Sequence, residues 1–134
     1  MSGALGRLRR LRRCERGSVA VEFAIISWVF ILVSLGIIEF GRGLLMRNEL
    51  SYVADLAARQ ILIDGAVSDS TLDATLRAAL TSGDPDLLTV AIGTETVGTT
   101  DYRTVTITYP FTLLVPGLTT DAISLSVDRR VPIL

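Results

Sequence analysis

A run of 20 residues, Val19–Ile38, contains no proline and only one charged side chain. Sixteen of the 20 are alanine, valine, isoleucine, leucine, phenylalanine or tryptophan, and the exceptions are Glu22, Ser27, Ser34 and Gly36. At about 1.5 Å per residue, a helix of this length spans about 30 Å, the thickness of a bilayer core. A chain of 134 residues offers little protein to surround a helix that is apolar on every side. The run therefore predicts a membrane-spanning helix rather than a buried core helix.

The charges on either side of the run predict its orientation. Residues 1–16 hold six arginines against one glutamate, whereas residues 64–134 hold nine acidic residues against four arginines. Cationic flanks stay on the cytoplasmic side of a membrane. We therefore expect a cytoplasmic N-terminus, a single pass, and a C-terminal part outside the cytoplasm. The arginine cluster is explained by topology, and we expect no nucleic-acid partner.

Two other interpretations of the N-terminus fit the sequence less well. A cleaved secretory signal needs small residues after its apolar region, and Ser34-Leu35-Gly36 is a poor version of such a site. A lipoprotein signal would place its cysteine after the apolar run, whereas Cys14 precedes it. We interpret Cys14 as a free thiol in a basic tail.

The junction before the apolar run reads Arg16-Gly17-Ser18-Val19-Ala20-Val21-Glu22-Phe23. It resembles the processing site of type IV pilin-like proteins. In that family a prepilin peptidase in the membrane cuts after the glycine, on the cytoplasmic face, and a glutamate followed by an aromatic residue stands at the fifth mature position. The resemblance implies that Gly17 ends a leader of residues 1–17, that Ser18 becomes the new N-terminus, and that Glu22 and Phe23 complete the motif.

The chemistry of these residues suits such a cut. Gly17 has no Cβ, so its backbone fits an extended protease cleft, although a plain hinge between tail and helix would also use glycine. Cleavage would leave a cationic amine on Ser18, one helical turn from Glu22, and the two groups can pair within one chain or between neighbours. Without cleavage, Glu22 would be an unpaired acid near the membrane edge that protonates or extends toward water.

The helical pattern continues beyond the apolar run. Met46, Leu50, Val53, Ala57 and Ile61 recur at spacings of 4, 3, 4 and 4 and form one apolar stripe. Asp55 and Arg59 are placed for an i,i+4 ion pair. We predict one helix, Ser18–Ile63, that ends at Asp64-Gly65.

Three further stretches sharpen the resemblance: Ile38-Glu39-Phe40-Gly41-Arg42, Arg47-Asn48-Glu49-Leu50 and Ala54–Ala58. With the junction, they are similar to the TadE-like family, minor pilin-like proteins (pseudopilins) of the Tad, or Flp, tight-adherence pilus system. Glu39, Phe40, Gly41 and Arg42 are then a candidate docking motif. The alternative is an i,i+3 ion pair between Glu39 and Arg42 on an exposed helix, which contributes little.

The remaining residues predict a small α+β head with a pilin-like plan. Ser70–Thr81 has one apolar side and predicts a short helix. Leu88–Val97, Tyr102–Phe111 and Ala122–Val131 alternate with period 2, as in a three-stranded antiparallel sheet with one wet face. Gly98–Asp101 and Pro116–Thr120 are the predicted turns, and Thr81–Pro85 is a predicted loop. Residues 64–134 number 71, which is marginal for a core of their own, so we expect the sheet to pack on the outer half of the long helix.

The chain lacks the residues of most catalytic sites. It has no histidine and one cysteine, which excludes a histidine-based triad, most zinc sites and an internal disulfide. Asp64, Asp69, Asp84 and Asp86 fit solvated or helix-capping roles better than acid–base catalysis or calcium binding. We therefore expect no enzyme activity, no metal and no cofactor.

The resemblance implies a role in the assembly or initiation of a Tad pilus used in adherence. It implies as partners a prepilin peptidase, a second pseudopilin, the major Flp pilin, and the inner-membrane platform with its assembly ATPase. It also implies the bacterial cytoplasmic (inner) membrane as location, with a periplasmic or extracellular head. Two alternatives remain from the residues: a single-pass membrane protein whose acidic head binds a ligand, and a secreted module that loses its apolar run.

Overall fold

The structure, a computed structural model, describes residues 15–114 and 122–133. They form helix α1 (Glu15–Ile63), helix α2 (Asp69–Ala79), a 3-10 helix (Pro85–Leu87) and strands β1 (Thr89–Val97), β2 (Thr100–Phe111) and β3 (Ile123–Ile133). The predicted α+β class, with a long N-terminal helix, a short helix and a three-stranded antiparallel sheet, is confirmed. The predicted turn Pro116–Thr120, Cys14 and most of the basic leader lie outside the described residues.

Helix α1 is already helical at Glu15, the first described residue, which lies before the predicted start at Ser18, and it ends at the predicted Ile63. Glutamate and arginine have good helix propensity, which agrees with the helical backbone at Glu15 and Arg16. Gly17 and Ser18 are therefore both helical.

The chain separates into two compact units, Met1–Ile38 and Glu39–Leu134. In the described part of the first unit, the large apolar side chains are exposed around the whole helix; Val21 is 60% exposed and Phe30 is 71% exposed. The helix is long and apolar enough to cross a membrane. A contiguous apolar surface of this extent marks a contact with lipid or with another protein. The exposure agrees with the predicted membrane span.

The second unit contains the hydrophobic core. The predicted stripe of α1 is buried at all five positions: Met46, Leu50, Val53, Ala57 and Ile61. Helix α2 adds Leu72 and Leu76, and β2 and β3 add Val105, Ile107, Tyr109, Phe111, Val127 and Val131. Ala54, Leu80 and Leu88 complete the buried cluster. The sheet and the outer part of α1 thus share one core, as the shortness of the head predicts.

Strand β2 is the centre of the sheet, in the order β1-β2-β3, and both pairings are antiparallel. Its even-numbered residues 104–108 are threonines on the partly exposed face, and Val105, Ile107 and Tyr109 face the core. Strand β1 pairs only as far as Thr108 of β2, so Pro110 interrupts no β1–β2 hydrogen bond. Gly98 has φ +65° in the β1–β2 turn, a backbone conformation that favours glycine.

The connection from α2 to the sheet is more ordered than a loop. Asp84 caps the 3-10 helix by accepting a hydrogen bond from the Asp86 amide, and Pro85 occupies its first position. Tyr109 Oη accepts a hydrogen bond of 3.0 Å from the Asp84 amide. A Cβ at Gly83 would lie 2.9 Å from the same hydroxyl oxygen, so this close approach requires glycine.

Glu49 joins α1 to the end of α2. One carboxylate oxygen accepts hydrogen bonds from the hydroxyl of Thr81 (2.7 Å) and from the amides of Thr81 and Ser82 (2.9 Å for Ser82). Burial acts to raise the pKa of Glu49, but the hydrogen bonds outweigh it and lower the pKa from 4.5 to about 2. The carboxylate therefore stabilises the fold in its ionised form.

The buried stripe of α1 gives a direct test of the core. Leu50 is fully buried and Leu45, on the same helix, is 69% exposed. Leu50→Ala should lower the free energy of unfolding by about 2–5 kcal/mol, because the substitution leaves a cavity. The matched change Leu45→Ala should stay within about 0.5 kcal/mol of wild type. Thermal unfolding of the detergent-solubilised full chain measures both, and equal effects would contradict the assignment of the core.

The Glu49 contact predicts a pH-dependent stability difference. The pKa is lower in the folded chain than in the unfolded chain, so the stabilisation is fully present above pH 4.5 and is lost as the pH falls toward 2. Glu49→Gln should therefore unfold at a lower temperature than wild type near pH 7, and this gap should shrink below pH 4.5. A gap of constant size from pH 7 to about 3 would show that the charge of Glu49 plays no part.

Candidate functional site

The four residues of the N-terminal motif, Gly17, Ser18, Glu22 and Phe23, lie near the start of the described part of α1. The Ser18 hydroxyl donates a hydrogen bond of 3.3 Å to Glu22 Oε1, as expected for residues one turn apart. Phe23 is 72% exposed, and a Cβ at Gly17 would meet nothing within 4 Å. The side chains of Ser18 and Glu22 are thus adjacent, while Gly17 and Phe23 are uncovered.

The helical backbone at Gly17 bears on cleavage. A peptidase needs the substrate extended in its cleft, whereas Gly17 and Ser18 are both helical in the uncut chain. Glycine lowers the cost of unwinding a helix by about 1 kcal/mol relative to alanine.

The second motif, Glu39 to Arg42, makes contacts that differ from the sequence expectation. Arg42 Nη1 lies 2.8 Å from Glu39 Oε2, so the predicted i,i+3 ion pair is present. However, Glu39 is only 8% exposed, and its Oε1 accepts a hydrogen bond of 2.6 Å from the Leu114 amide. The expectation of an exposed pair is therefore wrong. The reason is that the chain after β2 covers Glu39, a contact between residues 75 positions apart.

The other residues of this motif divide between the core side and the surface. The guanidinium of Arg42 lies over the ring of Phe111, 5.3 Å from its centroid, which is a cation–π distance. Phe40 is 70% exposed, and a Cβ at Gly41 would meet nothing within 4 Å. Within this motif, Phe40 is therefore free to contact another molecule, and the side chain of Arg42, 38% exposed, is partly accessible.

Two polar contacts of the second unit carry no signal in the sequence. Arg129 Nε lies 2.7 Å from Asp55 Oδ1, so Asp55 pairs across 74 residues of chain instead of with Arg59. Arg103, 8% exposed, donates to the Val67 carbonyl at 2.7 Å and also pairs with Asp69. It thereby fixes the connection between α1 and α2.

The loop acids take local structural roles. Asp64 Oδ1 accepts a hydrogen bond of 3.0 Å from the Ala66 amide just after α1 ends, and Asp84 caps the 3-10 helix. Asp69 is held by Arg103. Among residues 15–114 and 122–133, no group of three or more histidine, cysteine or acidic side chains is placed to hold a metal ion.

Comparison with known proteins gives one result for the long helix. The profile of the TadE-like protein family matches residues 17–59. No match was found among curated proteins or among solved structures. The matched segment starts at Gly17 and contains both motifs, the apolar run and most of the buried stripe. Residues 17–59 of this chain are TadE-like sequence, as their motifs predict.

Proposed function

We propose that this protein is a pseudopilin, or minor pilin, that takes part in the assembly or initiation of a Tad pilus used in adherence. The observation that carries the proposal is the TadE-like match over residues 17–59, which associates the chain with the Tad pilus. The uncovered apolar helix supports a single-pass location in the cytoplasmic membrane. The six arginines before it support a cytoplasmic N-terminus and an exported head.

The proposed first step is removal of the leader by a prepilin peptidase. Water adds across the amide bond between Gly17 and Ser18, so that the leader keeps a carboxylate on Gly17 and the mature chain gains an amine on Ser18. The open space around Gly17 supports access by the enzyme. Residues 1–17 then leave, and the helix from Ser18 stays in the membrane.

The second step is docking of the processed helix. The distance of 3.3 Å from Ser18 Oγ to Glu22 Oε1 places the carboxylate one turn from the future amine. In a medium of low dielectric constant the attraction between these opposite charges is strong. The amine of one subunit therefore pairs with Glu22 of its own chain or of a neighbouring pilin. The proposed partners are a second pseudopilin, the major Flp pilin, and the platform and ATPase that drive assembly.

The head acts in this proposal through contacts rather than through chemistry. Its charged side chains are largely engaged within the fold, as the pairs Asp55–Arg129, Asp69–Arg103 and Glu95–Arg130 illustrate. We propose no catalytic role for it.

The processing step is tested at Gly17. Gly17→Val places a β-branched side chain where the peptidase requires bare backbone, so the uncut precursor should accumulate in membranes, larger by the 17-residue leader. Gly36→Val, in the same helix and also open around its Cβ position, is the matched control and should be trimmed normally. Normal trimming of Gly17→Val, seen by immunoblot, would refute the processing site.

The role of Glu22 is tested by separating charge from shape. Glu22→Gln should insert into the membrane at least as well as wild type, because a neutral amide is cheaper to bury than a carboxylate. Leader removal should persist, and surface piliation should fall because the Ser18 amine loses its partner. Glu22→Asp, which keeps the charge, should retain more piliation than Glu22→Gln.

Three readouts in one strain check this expectation: membrane level, leader removal and piliation. If Glu22→Gln is inserted, trimmed and fully piliated, the charge has no role in assembly.

A further inference from the structure

Two large apolar side chains are exposed beside the hydrogen bond between Glu39 and Leu114. Leu114 itself is 67% exposed, and Phe40, the residue after Glu39, is 70% exposed. The neighbouring Leu113 packs against the core instead. The chain leaving β2 therefore turns one leucine inward and the next one outward.

The position of this surface along the chain limits how far it can lie from the membrane. Phe40 is two residues beyond Ile38, the last residue of the apolar run, which corresponds to about 3 Å of helix rise. The Leu114 amide is 2.6 Å from Glu39 Oε1, and Glu39 directly follows Ile38. Phe40 is thus connected to the end of the span by covalent bonds, and Leu114 is connected to it through one hydrogen bond to the adjoining residue, Glu39.

We propose that Phe40 and Leu114 are a second membrane contact, placed in the lipid headgroup region at the exported end of the span. The occupant of this surface is the bilayer that Val19–Ile38 crosses, because Phe40 continues the same helix just after the lipid-facing run and Leu114 is hydrogen-bonded to the residue between them. The proposal rests on the membrane location given under Proposed function. It assigns to Glu39 the role of holding the chain after β2 at the membrane surface.

The charges near the surface are compatible with a lipid interface. Glu39 is 8% exposed, and its carboxylate accepts a hydrogen bond from the Leu114 amide and pairs with Arg42, so this acid does not face the lipid unpaired. The Arg42 side chain is 38% exposed and packs along the Phe111 ring. Arginine at this depth can direct its charge toward phosphate groups while its stem lies on apolar surface.

A depth measurement with lipid-bound quenchers tests the proposal in the full chain. Cys14→Ser removes the single natural cysteine, and cysteines are then introduced one at a time as Phe40→Cys, Leu114→Cys, Val29→Cys and Thr99→Cys. Each variant carries a nitrobenzoxadiazole label and is reconstituted into phosphatidylcholine vesicles. The vesicles contain a nitroxide either on the headgroup or deep in the acyl chains.

Two of these positions are controls. Val29 lies within the span and should be quenched by the deep nitroxide. Thr99 is exposed and directly precedes β2, whereas Leu114 lies just after the other end of β2. The strand has 12 residues and is about 40 Å long, so Thr99 and Leu114 lie at opposite ends of the sheet. Thr99 reports the quenching of an exposed residue far from the proposed contact.

The headgroup nitroxide should quench the fluorescence of the labels at positions 40 and 114 at least about twice as strongly as that of the label at position 99. Equal quenching at 114 and 99, with normal quenching at 29, would overturn the membrane contact alone. Absence of deep quenching at 29 would overturn the membrane span as well. Protection at 114 that appears only when several chains share a vesicle would show a contact between copies and overturn the proposal.

Discussion

Between Val19 and Ile38, helix α1 carries an apolar surface that the fold leaves uncovered. The need to remove this surface from water constrains the rest of the chain. From Val19 to Ile38 the side chains face outward on every side and the fold covers none of the large apolar ones among them. Burying such a surface is the main favourable contribution that this segment can make. We interpret the six arginines before the helix as a topology signal beside the proposed membrane.

One helix serves two environments because its pattern changes after Ile38. From Val19 to Ile38, 16 of the 20 residues are apolar and they lie on all sides of the helix. After Ile38, the buried apolar residues form one stripe that packs against the sheet. Glu39 stands at this change. An acid directly after a span can remain there at low cost because Arg42 and the Leu114 amide satisfy its carboxylate.

The periodic features of this fold were predictable from the sequence, and the contacts between distant residues were not. The stripe from Met46 to Ile61 and the alternation of β2 follow from spacing alone, since burial repeats every turn or every second residue. Glu49 reaches Thr81 across 32 residues, and Glu39 reaches Leu114 across 75. Such pairs leave no local mark in one sequence. The exposed ion pair expected at Glu39 was wrong for this reason, because its burial depends on chain that comes after β2.

The central claim is that this chain is a processed, membrane-anchored subunit whose mature helix starts at Ser18. The most direct test is the N-terminal residue of the native protein, extracted from membranes and identified by peptide mass spectrometry. The mature chain should begin at Ser18. A chain that still begins at Met1 or Ser2 would contradict processing, and one that begins near Ile37 would contradict both the membrane anchor and the assembly role.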